Sequence, residues 1–437
     1  MTSAVEQQAV QFLKQHALPL RATQDLDPLM DRIGDARIVM LGEASHGTHE
    51  YYTWRSRITK RLIKEKGFQF IAVEGDWPDC YRINRYIKHY EPEAQKALDV
   101  IKQFNRWPTW MWANWEIIAL TEWLHQHNEA LPRRQRIGFY GLDVYSLWDS
   151  LHEVRQYLQK VDPGLLPAAD EAFHCFEPYS RDEGRSYARA ARLVADSCEQ
   201  EVISMLTDIR LRMSNYDHDE EAAFSAEQNA LIAVNAEKYY RSMLEGGAAS
   251  WNIRDKHMQE TLERLLRFHG RHSKVIVWEH NTHIGDARAT DMAADGMYNI
   301  GELARKQFGD DQVVLVGFGS YKGSVIAGEG WGKPIQIMEV PEAITGSWEN
   351  LVHETGSGDA LFLMDALKKE LVFKEPIGHR AIGVVYNPRF EQYGNYVPSL
   401  MPARYDAFIY LDETKALHPL DVYADTHKMP ETYPFGE

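Results

Sequence analysis

Short apolar runs that end abruptly in an acidic residue recur along this chain of 437 residues. The runs 37–41 and 274–278 are rich in Val and Ile, which is typical of strands buried on both faces of a parallel sheet. Open α/β sheets bind ligands at the carboxyl ends of their strands, so acids at these ends mark a candidate site. The acids that end four such runs are Glu43, Glu74, Asp143 and Glu279.

Helical patterns fill the intervals between these runs, and the order strand, helix, strand over 37–90 predicts a βαβ unit. The predicted fold class is therefore α/β, with a mostly parallel central sheet flanked by helices. Apolar residues at steps of three or four predict one amphipathic helix over 185–214, and 219–244 also looks helical. The further strand-like runs are 312–317, 335–340, 360–364, 379–386 and 407–411.

The chain is predicted to be a single domain over 1–437. Its sheet core is expected at about 30–150 and 270–415, with a helical insertion at about 150–270. The sequence has neither a Pro- or Ser-rich linker nor an internal repeat that would divide it. A hydrophobic content of 44% is enough to form one large core.

Composition excludes some classes of function. The net charge of −16 and the lack of a dense Lys/Arg run disfavour nucleic-acid binding. No apolar run is long enough to span a bilayer, and residues 1–8 lack the pattern of a signal peptide. The three scattered cysteines fit a reducing compartment and form no metal-type pair, so we expect a cytoplasmic protein without a membrane partner.

Several common catalytic signatures are missing from the sequence. There is no Gly-x-Ser-x-Gly elbow, no Walker A loop, no His-Glu-x-x-His and no Gly-x-Gly-x-x-Gly after a strand. Serine hydrolases of the α/β-hydrolase type and the usual nucleotide-binding folds are therefore disfavoured. The carboxylates and imidazoles at the strand ends remain as the candidate chemistry.

Glu43 and His46 follow the first strand directly. Gly42 and Gly47 flank the pair and are expected to permit a tight turn, after which Thr48 could cap the next helix. A histidine near a helix N-terminus is held neutral, which is the form that a general base needs. Glu43 could orient the ring as the acid of a catalytic triad does.

Glu74 ends the next strand along the chain. Adjacent strands lie about 4.8 Å apart, so Glu74 is expected to lie close to Glu43. Arg55 on the intervening helix could pair with these carboxylates or hold a substrate oxygen, although it could also be a surface arginine. Asp76, before Pro78, is expected to cap the helix that follows.

His280 and His283 follow the strand at 274–278. They could supply a second acid or base, or hold an oxyanion. Joined by His46 or His49 and by Glu74, they could instead bind a divalent metal. The sequence leaves these alternatives open.

The segment 104–115 carries four tryptophans within nine residues. Aromatic side chains often pack in protein cores, and that interpretation accounts for the segment as well as any. The alternative is that Trp110 and Trp112 form a wall or lid against a bulky, partly apolar substrate.

At these residues the chain resembles the erythromycin esterase family, over about residues 30 to beyond 340. The resemblance rests on these segments: Leu41 to Glu50, Glu74, Asn114-Trp115-Glu116, Gly138 to Tyr145, Arg254-Asp255 and Trp278 to His283.

The family hydrolyses the lactone ester of macrolide antibiotics with a histidine base that activates water, so the resemblance implies an antibiotic-resistance esterase. The implied base is His46, surrounded by Glu43, Glu74, Arg55, His280 and His283. Substrate contacts are predicted at Trp77, Asp76, Trp110, Trp112, Tyr140, Asp143, Tyr145 and Arg254.

Two other hypotheses stay open. One is a divalent-metal hydrolase of esters or amides, although the favoured reading needs no cofactor and no metal. The other is a non-catalytic protein whose His/Glu cluster binds a ligand such as haem. The expected partner is a small-molecule ester, and nothing in the sequence points to a particular protein partner.

Overall fold

The computed structural model describes residues 3–90, 96–182, 185–193, 197–212, 219–243, 247–430 and 432. Within these ranges the protein is α/β, with a mostly parallel central sheet flanked by helices, and this confirms the predicted fold class. Every helix of the described ranges is too short or too polar to cross a membrane.

Most of the strands coincide with predicted apolar runs, although the strand expected at 312–317 continues to Gly328, and the strands Leu18–Pro19 and Tyr396–Ser399 were not predicted. The strands are β1 (Leu18–Pro19), β2 (Ile38–Leu41), β3 (Phe70–Asp76), β4 (Gly138–Asp143), β5 (Val275–Trp278), β6 (Val313–Gly328), β7 (Ile335–Val340), β8 (Ala360–Leu363), β9 (Ile377–Arg380), β10 (Tyr396–Ser399) and β11 (Ala407–Thr414).

Helices occupy most of the intervals between strands. They are α1 (Ser3–His16), α2 (Asp27–Ile33), α3 (His49–Lys66), α4 (Trp77–Ile87), α5 (Ala97–Ile101), α6 (Trp115–Glu129), α7 (Leu147–Val161), α8 (Leu166–Phe176), α9 (Arg185–Leu193), α10 (Glu199–Arg212), α11 (Glu220–Ser242), α12 (Ala248–Phe268), α13 (Asn281–Ile284), α14 (Ile300–Phe308), α15 (Trp348–His353), α16 (Met364–Leu367), α17 (Glu391–Gly394) and α18 (Met401–Arg404).

The central sheet has the strand order β1-β8-β11-β6-β2-β5-β3-β4. The five pairings from β11 to β4 are parallel, whereas the two pairings of β8, with β11 and with β1, are antiparallel. β7 folds back on the extended end of β6. Because β2, β5, β3 and β4 run in the same direction, their carboxyl ends lie side by side.

The prediction that Glu74 lies beside Glu43 on an adjacent strand is wrong. β5 lies between β2 and β3, with Trp278 in register with both Leu41 and Val73. The crossover through α3 skips one strand position, and β5 fills it after the helical block between β4 and β5. The residues after β5 therefore stand between the two glutamates.

Alternate residues of the central strands pack on opposite faces of the sheet. Val39 and Leu41 join a core with helices α2, α3, α4 and α6, whereas Ile38 and Met40 join a core with α12, α14 and α15. Helices α7 to α11 form a third core mainly among themselves. The division into one domain with an insertion at 150–270 stays a prediction.

Two local predictions are wrong and a third is confirmed. The strand expected over 379–386 ends at Arg380, where β9 pairs only with β10 in a separate two-stranded sheet. The helix expected over 185–214 is two helices, α9 and α10, with Ser197 and Cys198 in neither; Val194 lies outside the described residues. The helix expected over 219–244 is α11.

The expected helix caps are also wrong. Thr48 and Asp76 stand at the N-cap positions of α3 and α4, but neither side chain accepts a hydrogen bond from its helix. The Thr48 hydroxyl bonds to the Ser45 hydroxyl, and Asp76 pairs with Arg106. Asp76 thus pairs with a residue of a distant segment, and Thr48 bonds to a residue three positions earlier in the same loop, instead of capping their helices.

Two of the three cysteines are not free thiols. Cys175, near the end of α8, forms a disulfide with Cys198, just before α10. Cys80 is buried and takes no part in this disulfide. The disulfide does not fit the expectation that the cysteines indicate a reducing compartment; the fold of the helical block brings together two side chains that are 23 residues apart.

Gly42 and Gly47 are required by close packing rather than by a tight turn. A Cβ atom at Gly42 would lie 2.1 Å from the side-chain oxygen of Asn281, and one at Gly47 would lie 2.0 Å from the carbonyl oxygen of Ile326. The Gly47 carbonyl also accepts a hydrogen bond from the Ile326 N–H at 3.1 Å. The loop with Glu43 and His46 is therefore held directly against β6.

We expect Gly47→Ala to destabilise the protein by about 1–3 kcal/mol, because backbone must shift to admit the methyl group. Urea unfolding followed by circular dichroism measures the change. Gly394→Ala is the matched control, because no atom lies within 4 Å of a Cβ there. Equal unfolding midpoints for the two variants would contradict the close-packing argument.

Candidate active site

Acidic and imidazole side chains from four neighbouring strand ends meet at one edge of the sheet. Glu43 follows β2, Glu279 and His280 follow β5, Glu74 lies near the end of β3, and Asp143 ends β4. Each of these residues is at most 2% exposed. Buried charges are costly unless they are paired, so the pairing of these groups decides what the site can do.

Glu43 is held between an imidazole and a guanidinium. Its Oε1 lies 3.0 Å from Nδ1 of His46, and its Oε2 lies 2.5 Å from Nη2 of Arg55. The Arg55 guanidinium stacks between the rings of Tyr52 and Trp278, at 4.4 and 4.6 Å from their centres. The ion pair leaves Glu43 an acceptor, so His46 donates its Nδ1 proton and keeps the lone pair on Nε2.

His280 is held in the opposite tautomer. Its Nδ1 accepts a hydrogen bond from the backbone N–H of Thr282 at 3.4 Å and lies 2.8 Å from the Thr282 hydroxyl. A backbone N–H can only donate, so Nδ1 carries the lone pair and Nε2 carries the proton. Burial, with the neighbouring His46, lowers the pKa of His280 well below its usual value, so the ring is neutral at pH 7.

The two imidazoles face each other. Their ring centres are 4.9 Å apart, with the planes tilted by 38°. The Nε2 atoms of His46 and His280 are both buried and have no hydrogen-bond partner among the described residues. A buried polar atom without a partner costs about 1–3 kcal/mol, so this pair of atoms marks the place for a polar ligand group. One ring offers it a lone pair and the other an N–H.

Arg254 on α12 joins the carboxylates of β3 and β4. Its Nη2 lies 2.7 Å from both Glu74 Oε1 and Asp143 Oδ2, and its Nε lies 3.0 Å from Asp143 Oδ1. The Tyr145 ring packs against this guanidinium at 5.2 Å. Glu74 Oε2 accepts the backbone N–H of His280 at 2.8 Å, so Glu74 fixes the position of that residue.

Burial alone would raise the pKa of Glu74. The positive charges of His283 and Arg254, with the N–H of His280, outweigh burial and hold the pKa of Glu74 well below its usual range. Glu74 is therefore a permanent anion, suited to positioning rather than to proton transfer.

His283 completes this charged group. Its Nδ1 lies 3.0 Å from Asp255, and its Nε2 lies 2.9 Å from Arg254 Nη1 and 3.5 Å from Glu74. Burial lowers the pKa of His283, but the charges of Asp255 and Glu74 outweigh burial and raise it to about 9. The short contact with Arg254 suits a neutral ring instead. Because Glu74, Asp143 and Asp255 face a single guanidinium, the charge balance favours the imidazolium.

Two residues of the site were given no role by the sequence: Glu279, which was identified only as a strand-end acid, and Asp255. Both carboxyl oxygens of Glu279 are buried without a hydrogen-bond partner among the described residues, and burial raises the pKa of Glu279 well above its usual value. It is a neutral acid beside the charged group. Asp255 could have been found from helical spacing, because Trp251, Arg254 and Asp255 share one buried face of α12 and Trp251 stacks on His283.

Two predicted substrate contacts lie in a packed interface between α4, β4 and α11. The Tyr140 hydroxyl donates to Glu221 at 2.6 Å and accepts from Lys88 at 2.9 Å. Trp77 stacks on Tyr140, and its indole N–H donates to Ser225 at 3.1 Å. These partners account for both side chains, and a role in substrate binding stays a prediction.

Asp76 forms an ion pair with Arg106, whose Nε lies 2.5 Å away. Burial nevertheless raises the pKa of Asp76 to about 7, against the effect of Arg106. Asp76 is in register with Asp143 across β3 and β4, so it borders the Arg254 pairs.

Trp110 and Trp112 are only 1% and 3% exposed and belong to the core on the α3, α4 and α6 face. Trp112 also packs closely against Gly75 near the end of β3. A Cβ atom added at Gly75 would lie only 2.9 Å from the indole nitrogen of Trp112. Core packing therefore accounts for the burial of both rings, and their role as a substrate wall stays a prediction.

The carboxylates proposed as metal ligands already have cationic partners. Arg55 occupies one oxygen of Glu43, and Arg254 occupies one oxygen of Glu74. Within the described ranges, the side chains with donor atoms close enough to share a metal ion lie at a different place. They are His49, Glu116 and His418.

The sequence pattern of the family described as Erythromycin esterase matches residues 63–414. The erythromycin esterase type II of Escherichia coli is 24% identical over 370 residues, covering 79% of this chain and 85% of that protein. A succinoglycan biosynthesis protein of known structure has a TM-score of 0.75 at 20% identity, covering 96% of this chain and 100% of that one. A mutant of the erythromycin esterase EreC in its open conformation has a TM-score of 0.67 at 15% identity, covering 90% and 95%. These structures share the fold.

The raised pKa of His283 predicts a pH-dependent stability. A histidine with a raised folded-state pKa contributes fully below its unfolded pKa near 6.5, and the contribution is lost as pH rises through about 9. We expect the free energy of unfolding to fall by about 3 kcal/mol over this range because of His283. His283→Asn should remove that part of the slope.

Urea unfolding of both proteins between pH 6 and pH 9.5 measures the difference. His49 and Asp76 also have shifted pKa values but are the same in both proteins, so their contributions cancel in the comparison. Identical slopes would show that His283 is neutral in the folded protein.

Proposed function

The chain belongs to the erythromycin esterase family, and on that basis we propose that it hydrolyses a carboxylic ester with water activated by His46. The observation that carries this proposal is the pair of partnerless Nε2 atoms on His46 and His280. An ester hydrolase without a covalent intermediate needs a base for water and a donor for the carbonyl oxygen. These two atoms supply one of each.

His46 acts as the general base. Its Nε2 lone pair takes a proton from water while the water oxygen attacks the ester carbonyl, and the same proton then passes to the departing alcohol oxygen. Glu43 fixes the tautomer and stabilises the imidazolium that forms, while Arg55 holds Glu43 in place. The products are a carboxylic acid and an alcohol.

His280 acts as the donor to the developing oxyanion. Its Nε2 carries a proton at pH 7 and makes no hydrogen bond of good geometry among the described residues, with the Ala44 carbonyl as its nearby backbone acceptor. Glu74 holds the backbone of this residue through its N–H. A preorganised donor of this kind stabilises negative charge that appears only in the transition state.

Water is a better candidate nucleophile than the nearest hydroxyl groups. Ser45, next to His46, is buried and its hydroxyl bonds to that of Thr48. The sequence also lacks the strand-turn-helix serine motif. These observations support a reaction without an acyl-enzyme.

We propose a macrolide lactone or a related ester as the substrate, because the Escherichia coli relative is an erythromycin esterase. On this proposal the protein is an antibiotic-resistance enzyme with a small-molecule partner. A cytoplasmic location remains a prediction as well. The Cys175–Cys198 disulfide does not favour it, because reducing compartments keep most thiols free.

We expect His46→Ala to lower the rate of hydrolysis by about 10²–10⁴-fold, because this is the usual contribution of a general base. The assay is mass spectrometry of a macrolide panel incubated with protein, looking for the gain of one water. The control is His272→Ala, an exposed histidine on a turn. Circular dichroism should show both variants folded, and turnover by His46→Ala near that of the wild type would remove His46 from the mechanism.

The proposed reaction needs no metal, because Arg55 and Arg254 already neutralise the carboxylates that would bind one. We expect turnover to persist after dialysis against a strong chelator, when it is assayed below the temperature at which the protein begins to unfold. If activity is lost and returns with zinc or manganese, Glu43, Glu74, His280 and His283 become candidate ligands and the metal-hydrolase hypothesis takes precedence.

A further inference from the structure

A short segment after β11 ties together two parts of the fold. Residues 415–420, here called the strap, pass between the loop at 47–49 and the segment at 113–115. Four backbone hydrogen bonds hold the strap: His49 N–H to Lys415 at 2.8 Å, Leu417 N–H to Gly47 at 3.0 Å, Trp115 N–H to His418 at 3.0 Å, and Leu420 N–H to Ala113 at 2.8 Å.

Three metal-type side chains meet where these segments cross. Nδ1 of His49 lies 2.5 Å from Oε1 of Glu116, and Nδ1 of His418 lies 2.7 Å from the same oxygen. The two imidazole rings are 5.0 Å apart at 83°. Each side chain comes from a different segment: the start of α3, the first turn of α6 and the strap.

Hydrogen bonding alone leaves this group incomplete. The Glu116 side chain is 5% exposed, and its Oε2 is buried with no hydrogen-bond partner among the described residues. Both histidines contact Oε1, so this oxygen has two partners. Oε2 has lost its contact with water and has gained no hydrogen bond in exchange, which is energetically costly. A cation bound between the three side chains could draw on both oxygens.

We propose that His49, Glu116 and His418 bind a divalent transition-metal ion, with zinc as the expected metal. Two imidazole nitrogens and one carboxylate form a donor set that zinc accepts and that Mg²⁺ and Ca²⁺, which prefer oxygen, do not favour. The three donor atoms already lie within 4.8 Å of one another. Zinc lies about 2.0–2.1 Å from each histidine nitrogen, so each nitrogen must move away from the shared Glu116 oxygen by less than about 1 Å to admit the ion. His418 is 63% exposed on the strap and is free to turn by that amount.

The fourth coordination position is available to water. His49 also lines a surface cleft of about 410 Å³ together with Glu50, Trp54 and Arg57. The site is therefore reached from solvent, and three protein ligands plus water complete a tetrahedral zinc ion.

The proposed role is to fasten the strap to the start of α3. His49 lies three residues after His46, but the His46 side chain is completely buried and faces Glu43. The ion would therefore stabilise the loop that carries the candidate base without taking part in the chemistry. The proposal is independent of the proposed esterase function.

The test uses the full chain, freed of metal with a chelator that is then removed. Zinc is titrated in competition with a fluorescent zinc indicator, and the melting temperature is followed with and without zinc. We expect one equivalent to bind and, at about 100 times the dissociation constant, to raise Tm by about 2 °C or more. Mg²⁺ should neither bind at this site nor raise Tm.

Two ligand variants and one control decide the result. Loss of a residue that only supports a metal ligand weakens metal binding by roughly 10–100-fold. His418→Ala and Glu116→Gln should each weaken zinc binding by more than this, and each should abolish the Tm shift. His272→Ala, an exposed histidine elsewhere, should bind as the wild type does.

No binding by the wild type, or undiminished binding by His418→Ala, would overturn the proposal and leave a hydrogen-bonded cluster or other surface histidines as the explanation. Because His418 is exposed, that variant decides the question even if Glu116→Gln fails to fold. Turnover of His418→Ala at 25 °C should match that of the wild type.

Discussion

The ion pairs of Arg254 are the interaction on which the arrangement of this sheet edge depends. Glu74 and Asp143 are almost completely buried at the ends of neighbouring strands, where two unpaired carboxylates could not both stay ionised. One guanidinium bonds to both of them, and the charge of His283 together with this guanidinium keeps Glu74 charged. Glu74 can then hold the backbone of His280, so a charge on one strand sets the position of an imidazole on the next.

The chemistry of the two central histidines follows from what each Nδ1 atom meets. Glu43, fixed by Arg55, accepts a hydrogen bond from the Nδ1–H of His46, whereas the backbone N–H of Thr282 donates a hydrogen bond to Nδ1 of His280. The rings are therefore left with opposite hydrogen-bonding characters at Nε2, although their side chains are identical. Burial supports this difference by keeping water from competing and by keeping His280 neutral.

Much of this site could be predicted from the sequence, because strand ends can be read from apolar runs. The predicted Glu43, His46, Arg55, Glu74, Arg254, His280 and His283 do converge on one edge of the sheet. The order of the strands could not be read in the same way, and it invalidated the expected contact between Glu43 and Glu74. Asp255 and the role of Glu279 were not predicted, because their significance depends on partners far away in the chain, His283 and the surrounding buried charges.

The sequence by itself determined the α/β class and the acids and imidazoles at the strand ends, because apolar periodicity and abrupt polar stops are local properties of the chain. Only the tertiary structure decided which strand ends are neighbours, because β5 enters the sheet between β2 and β3 after more than a hundred intervening residues. It also decided that Gly47 is needed for its lack of a side chain, and that Asp76 pairs with Arg106 rather than capping α4. Such contacts are set by distances between segments, and no local pattern of residues encodes those distances.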